Sequence, residues 1–104
     1  MNSEVDERAT LTASAALFHA LGEPSRLAIL QHLALGEHRV VDLTRHLGLA
    51  QSTVSKHLVC LRECGLVTSR PQGRATWFSL GDEQAVLDLL AECERVLARQ
   101  GVQV

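Results

Sequence analysis

The chain has 104 residues, 46% of them apolar but only 3% aromatic, so it has room for one domain whose modest core must be built from Leu, Val and Ala. Three cysteines are too few for a disulfide framework, no apolar run approaches the ~20 residues of a membrane span, and the polar opening MNSEVDERAT is no signal peptide, so a reducing, cytoplasmic setting is expected. The net charge of −2 hides a basic centre: residues 39–74 carry six basic and two acidic side chains, whereas residues 1–38 and 75–104 each carry two basic and five acidic ones, the charge footprint of a nucleic-acid face.

Residues 1–8 read as a flexible N-terminus, and residues 9–100 as one DNA-binding and dimerisation domain. A helical pattern runs from about Leu11 to Leu21, with Leu11, Ala15 and Phe18 on one side, and Gly22 breaks it. Pro24 suits the first position of a second helix, because a proline lacks only an N–H that would be unpaired there anyway. Leu27, Leu30, Leu33 and Ala34 form that helix's buried stripe, and Gly36 ends it. A short third helix fits Val40 to Leu47, followed by the turn Gly48-Leu49-Ala50 and a fourth helix from Gln51 or Ser52 to Cys64, the helix-turn-helix pattern. The fourth helix has its seam at Val54, Leu58 and Leu61, and Gly65 suits its C-terminal cap.

The period then changes. LVTSR and RATWFSL are rich in strand formers, and PQG between them predicts a two-stranded hairpin with Gln72 and Gly73 at its tip. Asp82 caps a last helix, Glu83 to Arg99, whose stripe of Val86, Leu89, Leu90, Cys93, Val96 and Leu97 is long for the end of a small domain and points to a second copy as partner. The expected fold is mainly α with a small β-hairpin: a homodimeric winged helix-turn-helix.

In such a fold the N-terminal residues of the fourth helix reach base edges in the major groove. Gln51, Ser52, Thr53, Ser55 and Lys56 point away from the seam or stand at that end, and their side chains suit adenine, adaptable polar contacts, and guanine or phosphate. His57 lies between seam and outer face, where a backbone contact and a structural hydrogen bond are both open. Arg70 and Arg74 flank the wing tip, and Arg39 and Arg45 stand beside the third helix as phosphate contacts. A homodimer presenting two such helices about 34 Å apart calls for an imperfectly palindromic operator.

Cys60 and Cys64 stand one helical turn apart, a spacing that lets two sulfurs converge on one soft ion such as zinc, cadmium, lead, mercury or trivalent arsenic. At 100° per residue they fall about 130° and about 90° from the seam, on one flank. An alternative is a thiol sensor in which the pair oxidises to a disulfide or persulfide. A third, an enzyme, is excluded because no nucleophile–base or paired-carboxylate arrangement stands out, and no organic cofactor motif occurs. The five histidines are dispersed, and His19, His32, His38 and His46 read as surface or structural groups.

EPSRLAILQHLALGE, VVDLTRHLGLAQSTVSKHLVCLRECGLV and RPQGRATWFSL together resemble the ArsR/SmtB repressors. The resemblance implies a homodimer built from the first and last helices, an operator upstream of a metal-export or detoxification gene, and release from DNA when an inducer binds. One site of that family uses two cysteines where this chain has Arg39 and Val41; another matches Asp82 but needs histidines where Gln84, Arg95 and Ala98 stand. CLRECGL instead resembles the CmtR-like cadmium and lead sensors, which implies Cys60 and Cys64 as ligands and a cadmium or lead ion as inducer. Those sensors complete the site with a C-terminal cysteine that this sequence lacks. Cys93 of either subunit, His57 or an exogenous group are the candidates for the third ligand.

Overall fold

A computed structural model describes the backbone of residues 3–103 and the side chains of residues 6–103. The helices are α1 (Ser3–Leu21), α2 (Pro24–Leu33), α3 (Val40–Leu47), α4 (Gln51–Glu63) and α5 (Glu83–Arg99); the strands are β1 (His38–Arg39), β2 (Val67–Gln72) and β3 (Ala75–Leu80). Helix α1 begins well upstream of the Leu11 start that periodicity suggests; of the N-terminal segment read as flexible, Met1 and Asn2 lie outside the described residues. Pro24 does open α2, and the Glu23 carboxylate before it accepts from the Arg26 backbone N–H at 3.0 Å, closing the helix N-terminus.

The core is one cluster. Ile29, Leu30 and Leu33 of α2, Leu43 of α3, and Val54, Leu58 and Leu61 of α4 meet Leu66, Val67, Phe78 and Leu80 from the sheet, with Val86 from α5 and Ala20 from α1. The expected seam of α4 is buried as read. In α2 the stripe is rotated: Ile29 is buried, whereas Leu27 and Ala34 are only half-buried.

The sheet has three strands in the order β1-β3-β2, all antiparallel, where two were expected. Strand β1 is only two residues long, too short to carry an alternating pattern, and it exists because His38 and Arg39 pair with Phe78 and Trp77. The Arg39 guanidinium lies 5.2 Å from the Trp77 ring centre, a cation–π contact that holds β1 to the wing. The wing tip is shifted by one residue: Gln72 pairs with Ala75, so Gly73 and Arg74 make the turn.

Helix α4 ends in a Schellman motif. Gly65 has φ of +76°, its N–H donates to the Arg62 carbonyl, and the Leu66 N–H donates to the Leu61 carbonyl at 2.9 Å. Gly81 packs onto this cap so closely that a Cβ there would collide with the Gly65 carbonyl oxygen, and its N–H donates to Leu66. The end of α4 is thus fixed to the end of the wing.

Candidate functional site

Helix α4 presents two different surfaces. Along its N-terminal half Gln51, Ser52 and Lys56 are exposed, and Thr53 and Ser55 are half-buried, while Val54 and Leu58 anchor the opposite side in the core. These polar residues therefore stand together on the side of α4 that faces away from the core. Gln51 also borders a depression of about 330 Å³ shared with Arg39, Val40, Val41, Arg74, Ala75 and Thr76, which brings the start of α3, the start of α4 and the wing to one concave surface.

The four arginines divide into two pairs. Arg39 and Arg70 are held by carboxylates: Asp42 accepts from the Arg39 guanidinium at 3.1 Å and from its backbone N–H at 2.8 Å, and Glu37 takes two hydrogen bonds from Arg70 at 2.7 and 2.9 Å. The Arg39 guanidinium and N–H hold the Asp42 carboxyl at a pKa of about 2, and the Arg70 hydrogen bonds hold Glu37 below the usual carboxylate range. Arg45 and Arg74 are exposed and pair with no carboxylate among the described residues, so their charge is available to a polyanion.

His57 is turned inward. Its side chain is 16% exposed, its Nδ1 lies 3.4 Å from the Arg26 guanidinium, and its Nε2 lies 3.6 Å from the Glu23 carboxylate. Of the two roles open to it, the structure shows the structural contact and takes the ring off the outer face. Arg26, which sequence reasoning passed over, is the hub of this corner. Its guanidinium donates to the His19 and Ala20 carbonyls at the end of α1, adding to the Gly22 N–H that already bonds His19. A cation just beyond the helix-breaking Gly22 was the one available signal.

The thiols occupy the other end of α4. Cys60 and Cys64 are half-buried and packed against the core cluster. Cys64 Sγ lies 3.7 Å from the Ala16 carbonyl of α1, so this thiol bridges the C-terminal cap of α4 and the first helix. Burial, then the neighbouring Cys60 and Glu63, push the Cys64 thiol above its ordinary pKa, and Arg26 only partly offsets them. Cys93 is exposed and lines a separate apolar groove with Phe18, Leu21, Leu27, Leu89 and Leu90, which includes neither Cys60 nor Cys64. Among the described residues no three His, Cys, Asp or Glu side chains converge on a common point, so within one protomer the thiol pair offers two donors. The positions of the family's other sites have local duties: Asp82 caps α5, Gln84 donates to Asp88 and Arg95 pairs with Glu92.

No helix among the described residues is long and apolar enough to cross a membrane. Residues 23–69 match the family model for bacterial regulatory proteins of the arsR family. The chain is 41% identical over 81 residues to a probable mercury resistance operon repressor of Streptomyces lividans, covering 77% of this chain and 65% of that protein's length. It is 41% identical over 87 residues to the HTH-type transcriptional regulator CmtR of Mycobacterium tuberculosis, covering 84% of this chain and 74% of CmtR. Among solved structures it is similar to a homodimeric winged helix-turn-helix DNA-binding domain from Mycobacterium bovis, with a TM-score of 0.82 and 30% identity over 93% of this chain and 88% of that one. These relatives are DNA-binding regulators rather than enzymes, and the fold is the winged helix-turn-helix they share. With family motif, relatives over three quarters of its length and fold all in agreement, the chain belongs to the ArsR family of bacterial regulatory proteins.

Proposed function

We propose that the protein is a cytoplasmic, homodimeric repressor that grips an imperfectly palindromic operator through α4 and the wing. It releases that operator when Cys60 and Cys64 take up a soft heavy-metal ion, cadmium or lead before zinc, mercury or trivalent arsenic. In this reading Gln51, Ser52, Thr53, Ser55 and Lys56 read the groove, while Arg45 and Arg74 hold phosphates, joined by Arg39 and Arg70 to the extent that DNA competes with Asp42 and Glu37. The observation that carries the proposal is the placement of Cys64: it caps the C-terminus of the helix that bears the polar row, one residue beyond the last helical residue Glu63 rather than inside the helix as expected, and it touches the backbone of α1 at Ala16.

Two thiolates are a fitting partial donor set for a soft ion, which when bound supplies a strong crosslink between whatever groups ligate it. The third donor has to come from outside the set gathered in one protomer. His57 is engaged by Arg26 and Glu23, which leaves Cys93 of the partner subunit or an exogenous group. The uncovered apolar face of α1 and α5, with Phe18 65% and Val96 48% exposed, supports a second copy packing there. Ties between α4 and that interface would shift the two reading heads together. The i,i+4 spacing of the two cysteines sits near the upper limit of favourable Cα separation for a disulfide, which ranks the redox alternative below metal.

Operator binding by fluorescence anisotropy at fixed salt tests the reading. Cadmium should weaken wild-type binding between a few-fold and about 100-fold, the range of a ~1–3 kcal/mol coupling. Cys60→Ser should bind operator like wild type and ignore the metal. Unchanged operator occupancy at saturating cadmium and lead would rule the mechanism out, and a loss of two hydrogens under mild peroxide that alone releases DNA would favour the redox alternative.

A further inference from the structure

Three of the five histidines, scattered in the sequence at positions 32, 38 and 46, come together in the fold. The ring centres of His32 and His46 are 5.0 Å apart, those of His38 and His46 5.5 Å, and those of His32 and His38 6.3 Å. They come from three elements: the last turn of α2, strand β1 and the last turn of α3. None of them contacts the thiol pair or the α1–α5 groove through any hydrogen bond, ion pair or shared cavity among the described residues.

We infer that His32, His38 and His46 form a second metal site, for a divalent ion of the zinc class, at the junction of α2, β1 and α3. Three imidazoles on one tetrahedral ion, with metal–nitrogen bonds of about 2.0–2.1 Å, hold their ring centres about 5 Å apart. The His32–His46 and His38–His46 separations of 5.0 and 5.5 Å meet that requirement, and the His32–His38 separation of 6.3 Å has to shorten by about 1 Å. As the rings stand, His32 and His46 are stacked at 11° and their nitrogens do not converge, so binding requires the rings to turn about their side-chain torsions while their centres stay close to where they are. Partial exposure of all three side chains leaves room for that turn and for a water as fourth ligand.

Two further observations favour a cation here. His38 Nδ1 lies 2.7 Å from the Gly36 carbonyl oxygen, which can only accept, so Nδ1 carries the proton and Nε2 keeps a free lone pair. That is the outer hydrogen bond by which metal-ligating histidines are oriented. His32 and His46 both sit in the last turn of their helices, where the unpaired carbonyls carry partial negative charge. Imidazole sets of this kind suit zinc, nickel and copper rather than the softest ions, so this site differs in preference from the thiol pair.

The test uses the full chain with Cys60, Cys64 and Cys93 all changed to Ser, which removes the thiol site and makes the result independent of the metal-release proposal. Titration with zinc, and with cobalt followed by its visible absorption, should show one equivalent per chain with a Kd of about 10 μM or tighter. His38→Ala and His46→Ala should each weaken this at least about tenfold, and His19→Ala should leave it unchanged. Zinc should also raise the melting temperature of the thiol-free chain but not of its His46→Ala derivative. If the thiol-free chain loses its helical circular dichroism, ¹H–¹⁵N spectra of the wild type replace the titration; zinc beyond the thiol equivalent should then shift the ring nitrogens of His32, His38 and His46 and spare His19. No uptake at 100 μM zinc, uptake that survives His46→Ala, or unshifted ring nitrogens would each overturn the inference.

Discussion

Single residues at the ends of α4 set what the rest can do. Gly65 adopts a conformation that costs an L-residue about 1–2 kcal/mol, so Gly65→Ala should lower unfolding stability by about that much. Gly81→Ala should cost more, because its Cβ meets the Gly65 backbone rather than open space, and urea denaturation of the two variants checks the order. Asp42 gives a pH-dependent signature. Its folded pKa of about 2 lies below the ordinary 3.8, a depressed value, so its contribution is fully present above the ordinary value and is lost as pH falls through about 2. Wild type should therefore lose stability relative to Asp42→Asn over that acid window and no other, as read from denaturation midpoints along a pH series. The pairing behind this signature was only half visible in the sequence: Arg39 and Asp42 are three residues apart, but the choice of Asp42 over DNA phosphate as the partner of the free protein follows from the helix start at Val40, where the carboxylate also caps the Arg39 N–H.

Elements were the most legible level. The bounds of α3, α4 and α5 follow the apolar periodicity and the capping residues because these are local properties, set by residues three and four apart. The wing was legible in its long strands and not in β1, whose two residues owe their conformation to β3 about forty positions away. The wing also separates two arginines that the sequence treats alike. Arg74 at the turn pairs with no carboxylate among the described residues, whereas Arg70 is held by Glu37, a residue 33 positions upstream. Arg74→Ala should reduce the dependence of operator affinity on log salt by about one per wing, and Arg70→Ala should reduce it less. Equal slopes for the two variants would show that Glu37 surrenders Arg70 to DNA.

At the scale of the whole molecule, the feature that a single chain leaves unfinished is the apolar face of α1 and α5. Leu11 and Phe18 are 62% and 65% exposed, and α5 buries only Val86 fully despite its long stripe. Phe18→Glu should weaken self-association by at least about 30-fold, the ~2 kcal/mol of an interface anchor, seen as monomer in sedimentation, and operator affinity should fall with it. The seam of α4, the spacing of Cys60 and Cys64 and the long apolar stripe of α5 were legible in the sequence, because each is a local pattern set by residues three and four apart. What only the tertiary structure decided is which distant groups meet. It turned His57 onto Arg26 and Glu23, set Cys64 against Ala16, gave Arg70 to Glu37, and gathered His32, His38 and His46 from three elements. Periodicity reports which side of a helix is buried, but not what lies opposite it; that depends on how α1, α2, α3 and the sheet close around one core.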